Sequence, residues 1–118
     1  MEHLQILTKQ LNNYLDKLLT EFEQGKKPSD DKTFFTFVKQ ETEPYFLALE
    51  EWEKIALIFI KNKSNLLHPQ QINSTKENME ALMLHSYYKD VRKRRYMEMN
   101  KSCRYIFHQL IKEFEHEK

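Results

Sequence analysis

The stretch from Ser74 to Glu117, STKENMEALMLHSYYKDVRKRRYMEMNKSCRYIFHQLIKEFEHE, decides the fold. Its 44 residues contain no Gly and no Pro. Ser74 stands three residues before Glu77, the spacing at which an N-cap hydroxyl and an N3 side chain each satisfy a free backbone donor of a helix start. Met79, Leu82, Met83, Ser86, Tyr87 and Val91 then recur at the period of one helix face. A second stripe runs Tyr96, Met99, Cys103, Ile106, Phe107, Leu110, Ile111, Phe114. Val91 to Tyr96 is a step of five, so the two stripes are out of register. A single helix here would be about 65 Å long, and no other segment could cover it. The spacing therefore predicts two antiparallel helices with a tight turn near residues 92–96. The cations of Arg92-Lys93-Arg94-Arg95 would then close the first helix, where they suit its macrodipole.

The rest of the chain extends the same pattern. Leu4, Leu7, Leu11, Tyr14, Leu15, Leu18, Leu19 and Phe22 form one stripe, and Gly25 is a suitable C′ residue. A polar turn, Gly25 to Asp30, follows, in which Ser29 or Asp30 can cap the next helix. From Asp31 to Asn62 the apolar positions Phe34, Phe35, Val38, Tyr45, Leu49, Trp52, Ala56 and Phe59 are helical, with Pro44 in the gap. Pro44 lacks an N–H and clashes with the carbonyl four residues earlier, so a kink or a split is expected there. Ile55 to Ile60 is apolar all round, which predicts a deeply buried helix end. Residues 61–73 read as the longest connection, with Leu66, Leu67 and Ile72 folded back over one end.

These readings add up to an all-α, four-helix up-and-down bundle, residues 1–118 as one domain. At 118 residues the chain is long enough to bury a core without metal or disulfide staples. Its 19 basic and 18 acidic residues nearly cancel, so overall charge favours neither nucleic acid nor membrane. The single Cys fits a reducing compartment. Glu2, Lys9 and Asp16 interrupt any signal-like apolar run, and six apolar residues at most stand together, too few to span a bilayer. A cytoplasmic protein with no membrane partner is expected.

His68-Pro69-Gln70-Gln71-Ile72 followed by Thr75-Lys76-Glu77-Asn78, then Arg94-Arg95-Tyr96 and Ser102-Cys103-Arg104-Tyr105, resemble the pattern of the YppE-like family. The likeness spans nearly the whole chain, Trp52 included. The family comprises small helical proteins of Gram-positive bacteria, of unknown function. The resemblance implies a cytoplasmic four-helix bundle and carries over no catalytic residue.

Candidate chemistry is sparse. Between Leu84 and Arg104 seven basic residues face two acidic ones, a segment charge of +5. Four adjacent cations could contact phosphates, or be neutralised by the chain's own Glu41, Glu43, Glu50, Glu51 and Glu53. A short charge run is more often a solvated face. A di-metal bundle needs two Glu-x-x-His pairs and two further Glu, and only Glu113-x-x-His116 has that spacing, so no metal is expected. His85 and His108 sit at stripe edges, as hydrogen-bonded rim residues do. Cys103 lies on an apolar stripe, where Cys behaves as a small hydrophobe. One Gly in the chain leaves no phosphate-cradling loop. Asn78, Ser86, Ser102 and Tyr105 are expected to form a buried hydrogen-bond network that sets the register of the last two helices.

The function expected from the sequence is thus a non-enzymatic protein-interaction module, an adaptor or regulator, without cofactor. Its candidate contact residues are Arg92, Lys93, Arg94, Arg95, Trp52 and Tyr88, with core packing the rival role for Trp52 and Tyr87. The alternatives are a nucleic-acid-binding protein using the basic turn and a small-ligand or metal-binding bundle. Oligomeric state is open, since no stripe beyond ordinary amphipathic ones marks a dimer seam.

Overall fold

The structure is a computed structural model that describes residues 2–24, 32–63, 67–88 and 91–116. Four helices follow one another: α1 (Glu2–Gln24), α2 (Lys32–Lys63), α3 (Pro69–Tyr88) and α4 (Lys93–His116). No strand occurs among the described residues. The 32 residues of α2 make a rod of about 48 Å, which matches the 48 Å long axis of the molecule.

Side-chain pairs between the helices fix their directions. Ascending α1, Thr8 meets Trp52, Tyr14 stacks on Tyr45 and Lys17 pairs with Glu41, so α2 descends. Asp16 meets Arg104 and Phe22 stacks on Tyr96, so α4 runs against α1. Ser86 meets Tyr96, and Thr75 accepts from Cys103, so α3 and α4 are antiparallel. Trp52 and Phe59 of α2 meet Phe107 and Phe114 of α4 edge-on across the core. The bundle is up-and-down. Its core is filled by Leu4, Leu11, Leu15, Leu18, Leu49, Trp52, Ile72, Met79, Leu82 and Phe107, all fully buried.

Several local features differ from the sequence reading. Helix α3 starts at Pro69, so Ser74 lies inside it rather than capping it, and the connection from α2 is shorter than residues 61–73. The start signal is the His68-Pro69-Gln70-Gln71 tetrapeptide. Pro69 at N1 loses nothing by lacking an N–H. The Gln70 N–H donates to His68 Nδ1 at 3.1 Å, and the His68 N–H donates to Gln71 Oε1 at 2.8 Å. This is a reciprocal cap with imidazole in the place usually taken by a hydroxyl. Leu67 and Ile72 on either side are buried. Replacing His68 with alanine is expected to cost about 0.5–2 kcal/mol in urea unfolding, and His68→Asn to restore most of it.

Helix α2 is one helix, running through Pro44 without a split. Both Pro44 and Gln40 are exposed, so solvent can take the carbonyl that proline leaves without a partner. The Ile55–Ile60 run is not buried all round. Ile60 and Phe59 are in the core, but Ile58 is 56% exposed. The break between the last two helices falls before Lys93, earlier than residues 92–96 predict. The Tyr96 N–H donates to the Arg92 carbonyl at 3.0 Å, which closes the first turn of α4. The cations therefore open α4 instead of closing α3. Gly25, Ser29, Asp30, Leu66 and Lys89 lie outside the described residues.

Candidate interaction surface

The up-and-down order gathers the start of α2, the end of α3 and the start of α4 at one end of the bundle. Arg92, Lys93, Arg94 and Arg95 are all exposed there. They sit on the helix end that already carries about half a positive charge from its unsatisfied N–H groups, so the two effects add. Among the described residues, no carboxylate of α2 pairs with these cations. Glu41 pairs with Lys17 at 3.5 Å, Glu53 with Lys76 at 3.5 Å, and Glu51 with His3 at 2.7 Å. Arg94 meets Glu98 one turn on, at 3.5 Å, with both side chains in solvent. An exposed pair of that kind does little to cancel charge. Among the described residues Arg92, Lys93 and Arg95 form no ion pair.

Aromatic side chains lie at the same end of the bundle. Tyr88, half-buried at the end of α3, meets Phe34 edge-on with ring centroids 5.8 Å apart. Phe34 in turn neighbours Phe37 at 6.5 Å. Phe37 is 42% exposed and Phe35 is 62% exposed. Phe35 carried no separate signal in the sequence, where it read as part of the apolar face of α2, and Phe37 was not singled out there. Phe34 and Val38 in the same turns are packed, so the exposure of Phe35 and Phe37 comes from their lying off that inward face of α2.

Trp52 leaves the set of contact residues. It is fully buried, edge-on to Phe107 at 5.3 Å. Its Nε1–H donates to Thr8 Oγ1 at 3.1 Å, and the Thr8 hydroxyl donates to the Leu4 carbonyl at 2.7 Å. Tyr87, 4% exposed, is core as well. Both follow from their position on stripes that face inward.

The polar network also differs from expectation. Ser86 takes part: it donates to the Leu82 carbonyl and shares a 2.6 Å hydrogen bond with the Tyr96 hydroxyl. Ser102 and Tyr105 are exposed and Asn78 is half-buried. The missed member is Asn100, 1% exposed, whose Oδ1 accepts from Arg104 Nε at 2.7 Å while the Arg104 guanidinium reaches Asp16 at 2.6 Å. Its four-residue spacing to Arg104 was the available signal.

Two further candidates show their chemistry. Cys103 is fully buried, and burial pushes its thiol up to about 12, far from the thiolate a nucleophile needs. A groove of about 540 Å³ between α1 and α2 is lined by Tyr14, Lys17, Pro44, Tyr45 and Ala48. It opens to solvent, and Lys17, its one cation, is already paired with Glu41. Among the described residues no three His, Cys, Asp or Glu side chains converge as a metal site, and no helix is long and apolar enough to cross a membrane.

Fold and surface together define a small antiparallel four-helix bundle with a basic, aromatic end. Residues 8–114 match the bacterial domain of unknown function DUF1798, and the chain belongs to that family. It is similar to the uncharacterized protein YppE of Bacillus subtilis strain 168, 27% identical over 103 residues that cover 86% of this chain and 84% of that one. The solution structure of B. subtilis yppE superposes with a TM-score of 0.85 at 26% identity, over 99% of this chain and 96% of that one. Its crystal structure gives 0.82 at 24% identity, over 98% and 95%. A Listeria innocua protein of unknown function shares the fold at a TM-score of 0.85 and 14% identity, over 98% and 94%.

Proposed function

We propose that this chain is a non-enzymatic cytoplasmic interaction protein, acting as one domain, whose docking surface is the end of the bundle where α2 and α4 begin. The observation that carries this reading is that one end of the bundle holds both the exposed Phe35 and Phe37 of α2 and four exposed cations at the start of α4. The fitting partner is an acidic protein surface with apolar side chains for the phenylalanines. Arg and aromatic residues are the usual anchors of such contacts. Arg92, Lys93, Arg94, Arg95 and Tyr88 keep the contact role that the sequence suggests for them, and Phe35 and Phe37 join them.

Affinity capture of the tagged chain from its native cytoplasm is expected to retain one stoichiometric protein. Arg94→Glu with Arg95→Glu is expected to release it, weakening binding by about 2 kcal/mol or more, roughly thirtyfold. Phe37→Ser should do the same at unchanged charge. Retention of the partner by both variants sinks the proposal. Salt-sensitive binding of the wild type to single- or double-stranded nucleic acid, lost with the arginines but kept by Phe37→Ser, would favour phosphate recognition instead.

A further inference from the structure

The outer pole of α2 carries a second, separate feature. Leu47 and Ile58 are 62% and 56% exposed. They stand on the side of α2 opposite Leu49, Trp52 and Ala56, which face the core. Between them, at steps of four, three and four, lie Glu51 and Lys54, both exposed. The stripe Leu47-Glu51-Lys54-Ile58 therefore forms one straight line along the helix. Single exposed apolar residues need no explanation. Two on one line, bracketing one charge of each sign, form a pattern with its own symmetry.

That pattern is self-complementary under a two-fold axis. Lay a second α2 antiparallel on the first, with the axis between Trp52 and Glu53. Leu47 then meets Ile58 of the other copy, and Glu51 meets Lys54. One turn farther out, Glu43 comes beside Lys61 and Asn62, all three exposed. Every apolar side chain finds an apolar one and every charge its opposite, each contact occurring twice. A parallel pairing would set Leu47 on Leu47, Glu51 on Glu51 and Lys54 on Lys54, with like charges opposed. The surface thus accepts a second copy in one orientation and rejects the other, as an isologous interface does.

We infer that the chain self-associates through the outer face of α2 as an antiparallel two-fold dimer, Leu47 on Ile58 and Glu51 on Lys54. This leaves the basic end of each copy free, because Arg92–Arg95 lie on α4 and Leu47 and Ile58 on the solvent side of α2. It also accounts for Ile58, the residue of the apolar Ile55–Ile60 run that the bundle does not bury.

Sedimentation equilibrium of the full chain over the micromolar to millimolar range tests it. The expected mass rises from 14.5 kDa toward twice that value. Glu51→Lys sets four cations across the axis and should return the chain to monomer. Adding Lys54→Glu re-pairs the charges and should restore the dimer, whereas His3→Ala, which removes only the neighbour of Glu51, should leave association unchanged. Helical circular dichroism checks that each variant folds. Cysteines separate the register: Leu47→Cys with Ile58→Cys should oxidise to a covalent dimer. Leu47→Cys alone should not, because the two sites then lie about 16 Å apart along the axis, beyond disulfide reach. A chain that stays monomeric throughout, a dimer indifferent to Glu51→Lys, or equal cross-linking by Leu47→Cys alone overturns the inference. None of these results bears on the partner capture that tests the basic end, so the two readings fail separately.

Discussion

Trp52→Ala is expected to lower the unfolding free energy by about 3–5 kcal/mol, the range for removing a large aromatic side chain from a packed core. The indole is fully buried and lies edge-on to Phe107, so the neighbours on α4 cannot close the void without moving a helix. The substitution also strips Thr8 Oγ1 of its buried donor. A domain of this size is stable by about 5–15 kcal/mol in total, so the variant is brought close to unfolding at ambient temperature. Trp52→Phe separates the two contributions. It keeps most of the apolar volume and loses the Nε1–H, so it should cost about 1–3 kcal/mol. Urea titration followed by circular dichroism reads both, and a Trp52→Ala loss below about 1 kcal/mol would contradict the packing described here.

Alkaline pH is the second strong lever. Tyr14, Tyr87 and Tyr96 are almost completely shielded from solvent. Burial pushes Tyr87 and Tyr96 from the ordinary 10.0 up to about 12. Tyr14 is raised further, first by burial and then by the neighbouring Tyr87 and Tyr45. Above pH 10 the unfolded chain releases these protons while the folded chain holds them. Unfolding is then favoured by deprotonation, so the contribution of the three phenols is complete below pH 10 and is lost as pH rises through 12. Each group contributes a slope approaching about 1.4 kcal/mol per pH unit in that window. Urea midpoints should hold steady up to pH 10 and then fall steeply. Phenolate absorbance should show three tyrosines titrating together with unfolding, and free titration of all six tyrosines in a folded chain would refute the burial.

The helices and their inward faces were legible in the sequence because amphipathic periodicity is local. Leu4 through Phe22 on α1 and Tyr96 through Phe114 on α4 lie where their spacing puts them. The start of α3 was misread: the His68-Pro69-Gln70-Gln71 stretch carries it, but the sequence reading left that stretch in the connection. It was missed as a cap because imidazole is an uncommon N-cap acceptor and Ser74 offered the familiar one. The turn before α4 was misplaced because no Gly or Pro marks it.

What an interaction surface consists of could not be read in the same way. Arg92 to Arg95 were visible as a charge run, but whether Glu41, Glu51 and Glu53 would cancel them depended on which helix lay beside which. Packing gave those carboxylates to Lys17, His3 and Lys76 instead. Phe35, Phe37, Leu47 and Ile58 look no different in the sequence from core residues of the same type. The sequence by itself therefore determined four amphipathic helices and which side of most of them avoids water, since hydrophobic spacing along one helix needs no partner. Only the tertiary structure decided which cations stay in solvent and which apolar side chains are left over, because both are set by neighbours distant in the chain.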